Sequence, residues 1–232
     1  MNEILLDNIK IKLDLTPLLK KVRLTENHNR FNSFKAFFDE AYSVYRPKVL
    51  YKPLYIDKKE QEQVVMEEIV FKSRILAVNL ADVHRVFAFI ATCGTELDQW
   101  AKKREKMLEE FWADIIMQSV LFEAIDVMNE NIAQNFNPGK TAFMTPGSLE
   151  QWPLEEQQTL FSAFSNVEKS IGVQINDEFI MTPRHSVSGI IFPAEVDYEN
   201  CQLCPKEECP GRRAAYDKNL YDQRYSIKAL SQ

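Results

Sequence analysis

The 232-residue chain is 45% hydrophobic and 27% charged, with a net charge of −6. That suffices for one large core or two small ones, and the acidic balance argues against a nucleic-acid surface, which needs a basic face. No apolar run approaches the ~20 residues of a bilayer span, the first residues lack a signal-peptide pattern, and four cysteines in such a chain suit a reducing compartment, so the expected location is the cytoplasm.

Residues 4–15 alternate in part (Ile9, Ile11, Leu13) and read as a short strand or extended arm. A small helix follows, with Thr16 as its cap and Pro17 as its first residue. Residues 31–45 fit a longer helix with a stripe of Phe34, Phe37, Phe38, Ala41, Tyr42 and Tyr45, which core packing accounts for. Arg46-Pro47 ends it. Residues 49–56 and 64–69 read as strands, and Pro53 marks an edge or bulge in the first. Residues 71–80 fit either a strand followed by a helix or one longer helix. Residues 85–92 form a nearly unbroken apolar strand with Cys93-Gly94 as its turn. Residues 97–135 are helical with a break near Lys103 to Lys106, and 111–132 are apolar enough for a central helix.

The stretch from Met144 to Phe192 reads as turn, helix, strand, turn, strand. Pro146-Gly147 is a turn signal. Trp152-Pro153 restarts the chain with Pro153 as first helical residue, and Glu155 and Glu156 suit the positive end of the helix dipole. Leu154, Leu160, Phe161, Phe164 and Val167 supply one apolar face, and Gly172 a C-terminal cap. Val173, Ile175, Phe179 and Met181 fit a half-buried strand, Thr182-Pro183 breaks it, and Ser186 to Phe192 begins another. From Asp197 the chain turns polar and Cys-rich, and that tail is expected to wrap a single domain spanning residues 1–232.

The strongest chemical signal is Cys201-Gln-Leu-Cys204 followed by Cys209. Thiolates at this spacing share one metal ion, zinc or an iron–sulfur cluster alike. The fourth ligand is Cys93, or else Cys93 is a thiol activated by the following helix N-terminus. The bland alternative is a set of free thiols on the tail. Arg212 and Arg213 offset thiolate charge, hold an anion, or form a solvated basic pair. Ser188-Gly189 lacks the frame of a nucleophile elbow. Asp82-Val-His84-Arg-Val-Phe87 echoes the loop with which corrinoid proteins supply an axial His, but Phe87 stands where Gly is needed, so His84 is not assigned to cobalamin. No Gly-rich dinucleotide or phosphate loop is present.

Five pieces recur in one order: Ala91 to Leu97 (Ala-Thr-Cys-Gly-Thr-Glu-Leu) before a long helix, Pro146-Gly147, Trp152-Pro153-Leu154 with Gln157, Ile171-Gly172-Val173, and Pro183-Arg184-His185-Ser186-Val187-Ser188-Gly189. Over roughly residues 30–215 they resemble the activation (reactivation) domain of vitamin B12-dependent methionine synthase, and stand-alone proteins built like it. The resemblance implies an α+β fold, a curved and mostly antiparallel sheet packed with helices. It implies an accessory role in cobalamin (corrinoid)-dependent methyl transfer, assisting reductive reactivation of a corrinoid-binding protein or methyltransferase, with cobalamin carried only by that partner. In the family an Arg-x-x-Pro-Gly-Tyr loop presents itself to S-adenosylmethionine. Here Phe143 and Ser148 stand at the Arg and Tyr positions, so no complete methyltransferase site is carried. Pro146, Gly147, Ser186 and Ser188 are the ligand-facing residues the resemblance carries over. Arg184 and Glu123 are the candidate substitutes toward the ligand's carboxylate and amino groups, and at His185 a positive charge matters more than an imidazole. The alternatives are a non-catalytic docking module with structural zinc, and an S-adenosylmethionine-binding domain that uses the substituted residues.

Overall fold

The computed structural model describes residues 2–194, 200–204, 206, 208, 212, 214–217 and 219–220. In chain order the elements are β1 (Ile4–Leu6), α1 (Leu15–Lys21), α2 (Phe31–Val44), β2 (Lys48–Lys59), β3 (Gln63–Met66), β4 (Ile69–Lys72), α3 (Arg74–Asn79), β5 (Arg85–Thr92), α4 (Thr95–Ala101), α5 (Met107–Phe136), β6 (Thr141–Met144), α6 (Glu156–Phe161), α7 (Val167–Ile171), β7 (Gln174–Ile175), β8 (Met181–Thr182) and β9 (Ser186–Pro193). The fold is the expected α+β arrangement. The main sheet runs β4-β3-β2-β5-β9-β6, with β1 also on β2, and all its pairings are antiparallel.

Strand β5 explains the architecture. Successive side chains leave a strand on opposite faces. Val86, Ala88 and Ile90 enter a core shared with α3, α6, α7 and Trp152, while Phe87, Phe89 and Ala91 enter one shared with α1, α2, α4 and α5. A strand covered on both faces needs apolar residues at every position, which is why 85–92 reads as a continuous run. We call the two sides the Trp152 face and the α5 face. No helix among the described residues is long and apolar enough to cross a membrane.

Several local expectations change. Asp14, not Thr16, caps α1: its carboxylate accepts from the Thr16 N–H at 2.9 Å, and Pro17 falls within the first turn, where a missing N–H leaves no bond unmade. The run 64–69 is two strands, β3 and β4. Met66 faces Ile69 across a two-residue turn in which Glu67 (φ 46°) and Glu68 (φ 69°) are both left-handed. Such turns match the twist of a hairpin and usually carry Asn or Gly. Two glutamates gave no such signal. Residues 71–80 resolve into the end of β4 and α3, which the Ser73 hydroxyl caps. Pro53 pairs with Phe87 of β5, and on its other side it falls between the residues that pair with β1 and those that pair with β3. The missing N–H is tolerated where that flank has no partner strand.

Helix α6 begins at Glu156 rather than Pro153, and Leu154 is 38% exposed instead of lying on the apolar face. Asn166 starts a second helix, its side chain accepting from the Lys169 N–H at 2.8 Å, and Gly172 ends it as expected. The strand expected over 173–181 is a hairpin, because the Asn176 side chain accepts from the N–H groups of Glu178 (3.0 Å) and Ile180 (2.8 Å) and folds the chain back.

Candidate functional site

The loop after β6 and the start of β9 lie side by side. Met144 pairs with Ile190, so Thr145 leaves the sheet next to Gly189. The loop closes on itself. The Gly147 N–H donates to the Trp152 carbonyl at 2.8 Å, the Thr145 and Ser148 hydroxyls bond each other, and Leu149 bridges to Trp152. Gly147 holds φ 78°, a conformation that favours glycine, and a Cβ there would lie 2.7 Å from a methyl of Leu154, which would have to move aside. Trp152 is fully buried and anchors the loop in the sheet. Gln157 ties α6 to the neighbouring hairpin by donating to the Phe179 carbonyl at 3.1 Å.

The side chains of this loop offer little charge. Residues 143–149 contain no ionisable group. Phe143 packs against the core on the α5 face, and Ser148 is engaged by Thr145. Pro146 is buried and Gly147 exposed.

In the turn leading into β9, Thr182 and Arg184 are exposed. His185 Nε2 lies 2.8 Å from Asp114 Oδ1 of α5, and its carbonyl accepts from the Cys93 N–H at 3.0 Å. His185 therefore fastens β9 to α5 and to the end of β5. Ser186 donates to the Thr92 hydroxyl at 2.9 Å. Ser188 is 2% exposed, and neither its hydroxyl nor the Trp152 indole N–H has a hydrogen-bond partner among the described residues. Glu123 lies half-buried on α5, the far side of the sheet from Trp152. Burial first, then Asp126, raises its carboxyl above the ordinary range.

The cysteines divide between the two faces. Cys93 is fully buried on the α5 face, while Cys204 packs against the core of the Trp152 face, so Cys93 is not brought to the Cys201–Cys204 loop. Burial pushes the Cys93 thiol up to about 12, with Asp98 and Glu96 adding to it. The expected activation by a helix N-terminus is thus reversed: loss of water outweighs the dipole. Cys201 lies on a short 3-10 turn, Asn200–Gln202, and Leu203 is buried beyond it at 8% exposure. Leu203 lies in the core of the Trp152 face and Leu220 packs against it.

Arg212 is engaged by backbone carbonyls. Its guanidinium donates to the carbonyls of Cys201 (2.8 Å), Ala214 (2.9 Å), Cys204 (2.8 Å) and Lys206 (2.6 Å). Cys209 and Arg213 lie outside the described residues. Among the described residues no group of three or more His, Cys, Asp or Glu side chains is arranged to hold a metal ion.

Sequence reasoning gave no sign of a cleft of about 880 Å³ between the α3–β5 turn, the α5–β6 loop and the end of β9. His84, Arg85 and Lys140 line it with Asp82. Arg85 lies 5.4 Å from the ring centres of Phe87 and Phe136 and donates to the Phe136 carbonyl, so it caps the end of α5.

No protein-family model matches the chain, and no curated protein matches it. Among solved structures, a crystal structure of the MetH reactivation domain bound to AdoHcy is similar, with a TM-score of 0.61 at 15% identity, over 86% of this chain and 81% of that one. The likeness is one of fold, and it agrees with the resemblance read from the five sequence pieces.

Proposed function

We propose that the protein is a cytoplasmic accessory protein of corrinoid-dependent methyl transfer, which engages a cobalamin-carrying protein or methyltransferase and assists its reductive reactivation. The observation that carries this reading is the likeness of fold over 86% of the chain. The closed Pro146–Gly147 loop adds to it, with Gly147 and Arg184 as the exposed points that would face the partner.

The similar solved domain holds AdoHcy. The loop here does not fit such a ligand in the manner the resemblance implies. Phe143 is turned into a core and Ser148 is bonded to Thr145, so neither supplies the charge or aromatic surface expected at its position. A bidentate guanidinium–carboxylate pair is not replaced by a hydroxyl. No methyl-donor step is therefore assigned to this chain, and electron delivery or partner docking is favoured. On this reading Cys201, Cys204 and Cys209 hold an iron–sulfur cluster or zinc. A cluster would supply one electron at a time, and zinc would make the protein a docking module.

The test is to purify the chain without oxygen and measure iron, sulfide, zinc and visible absorption. The reduced protein is then mixed with aquacobalamin, and the cobalamin spectrum is followed. Iron with sulfide and one-electron reduction of the cobalamin support electron delivery. Stoichiometric zinc in a colourless protein leaves the docking module, and absence of metal removes the electron-delivery role. A thermal shift with AdoHcy that Arg184→Ala abolishes would instead favour ligand binding through substituted residues. At 100 times its dissociation constant a ligand adds about 2.7 kcal/mol.

A further inference from the structure

We propose that the cleft beside Arg85 binds a small organic acid, a molecule with one anionic head and an apolar body. The cleft is separate from the Pro146–Gly147 loop. Its lining includes Lys140 and Pro193, at the end where Thr141 pairs with Pro193, whereas the loop leaves β6 at the other end, past Met144. At about 3.4 Å per residue the strand sets the two at least about 10 Å apart. A volume of about 880 Å³ is that of a site for an organic ligand and far exceeds what a bare ion fills. Buried Val83 and Phe192, with Pro138 and Pro193, give the cleft apolar surface for the ligand's body.

Arg85 recognises the head. Its guanidinium is held by two rings, Phe87 and Phe136, whose centres stand 5.0 Å apart, and Nη2 donates to the Phe136 carbonyl at 3.1 Å. A guanidinium has five N–H donors. This bond is the only one that Arg85 makes among the described residues. A half-buried cation that is fixed in place yet mostly unsatisfied loses little freedom on pairing with a two-oxygen acceptor, a carboxylate or a phosphate. His84 lines the same cleft, and its imidazole has no hydrogen-bond partner among the described residues. The backbone that carries it is fixed, since its carbonyl accepts from the Ile56 N–H at 3.0 Å and the Val83 N–H donates to the Leu80 carbonyl at 3.0 Å. With Lys140 also in the lining, two cations stand against the carboxylate of Asp82, on a chain whose net charge is −6. Asp82 opposes a second negative group, so the ligand carries one.

The experiment uses the full chain in three forms: unaltered, Arg85→Gln and His84→Ala. Glutamine keeps an N–H for the Phe136 carbonyl while removing the charge, and His84 is exposed, so its truncation leaves the fold intact. The probes are phenyl phosphate, phenylacetate, its neutral amide phenylacetamide, and inorganic phosphate, with binding followed by NMR at the backbone amides of His84, Arg85 and Lys140. The expected result is saturable shifts at those amides with at least one of the two aromatic acids and none with phenylacetamide. Which acid binds tells a phosphate head from a carboxylate. Affinity should fall by about tenfold or more in Arg85→Gln and by about two- to tenfold in His84→Ala. If Arg85→Gln does not fold, His84→Ala carries the comparison. No shift with either acid, equal shifts with phenylacetamide, or unchanged affinity in the folded variants would overturn the inference. Inorganic phosphate binding as tightly as phenyl phosphate would show an adventitious ion only, and would overturn it as well.

Discussion

Gly94 joins β5 to α4 with φ 100° and ψ 145°, a region open essentially to glycine alone. A Cβ added there would lie 2.2 Å from the Arg46 carbonyl oxygen and 2.7 Å from its carbon, both backbone atoms. Gly139, before β6, also has a positive φ, 75°, but a Cβ there meets nothing within 4 Å. Alanine at either position incurs backbone strain of about 1–2 kcal/mol. At Gly94 it must also displace the loop between α2 and β2, and such overpacking typically costs about 1–3 kcal/mol more. Gly94→Ala should therefore destabilise by about 3.5 kcal/mol and Gly139→Ala by about 1.5 kcal/mol. In a chain of this size these correspond to Tm losses of about 10 °C and about 4 °C. Urea unfolding followed by circular dichroism, with thermal melts in the same buffer, measures both. Equal losses in the two variants would show that the contact with Arg46 contributes nothing and would refute the reasoning.

Three further outcomes are expected. At pH 8, iodoacetamide should label Cys201 and Cys204 in the reduced, metal-free folded protein and spare Cys93, whose thiolate fraction with a pKa of about 12 is on the order of one in ten thousand; peptide mass spectrometry showing Cys93 labelled as fast as the others would contradict its burial. Ser188→Ala removes a buried hydroxyl with no partner among the described residues, so it should leave stability unchanged or raise it by up to about 1 kcal/mol, and a loss above that in urea would show that the hydroxyl has a partner. Glu156 has its carboxyl raised by burial, against the opposing hydrogen bond from the Lys72 N–H. Its folded-state pKa thus exceeds the unfolded one, and the wild type loses stability as pH rises through the carboxylate range. Glu156→Gln, which keeps an acceptor for that N–H, should be the more stable form near pH 7 and equal to wild type below the carboxylate range; a difference that does not change with pH would count against this.

Legibility in the sequence followed the range of the interactions. Strand β5 and the break between α4 and α5 could be read because burial on two faces and a charged interruption are local patterns. The hairpin at Glu67–Glu68 could not, since its turn residues carry none of the usual chemistry and the register is set by Val64 and Phe71 meeting in the core. The split of α6 from α7 was visible only as Asn166, a capping residue inside an otherwise continuous apolar pattern. At the candidate site, Pro146-Gly147 announced the turn, and the absence of charge around it was plain. The role of Arg212 was not legible, because its partners are backbone carbonyls, which every residue possesses. Cys93 misled for the opposite reason: the helix that follows it is a local signal, whereas its burial depends on α2, α4 and α5 closing over it.

The cysteine-bearing tail leaves the sheet from β9, which is an inner strand. It pairs at six positions with β5 and at four with β6. A force applied to the tail along the axis of β9 would load both ladders in shear, with many bonds sharing the tension at once. The same force on β4 or β6, at the edges, would load only one ladder, so fewer bonds would share the tension. An inner strand held on both sides is thus a stiffer point of attachment for the tail than either edge strand would be.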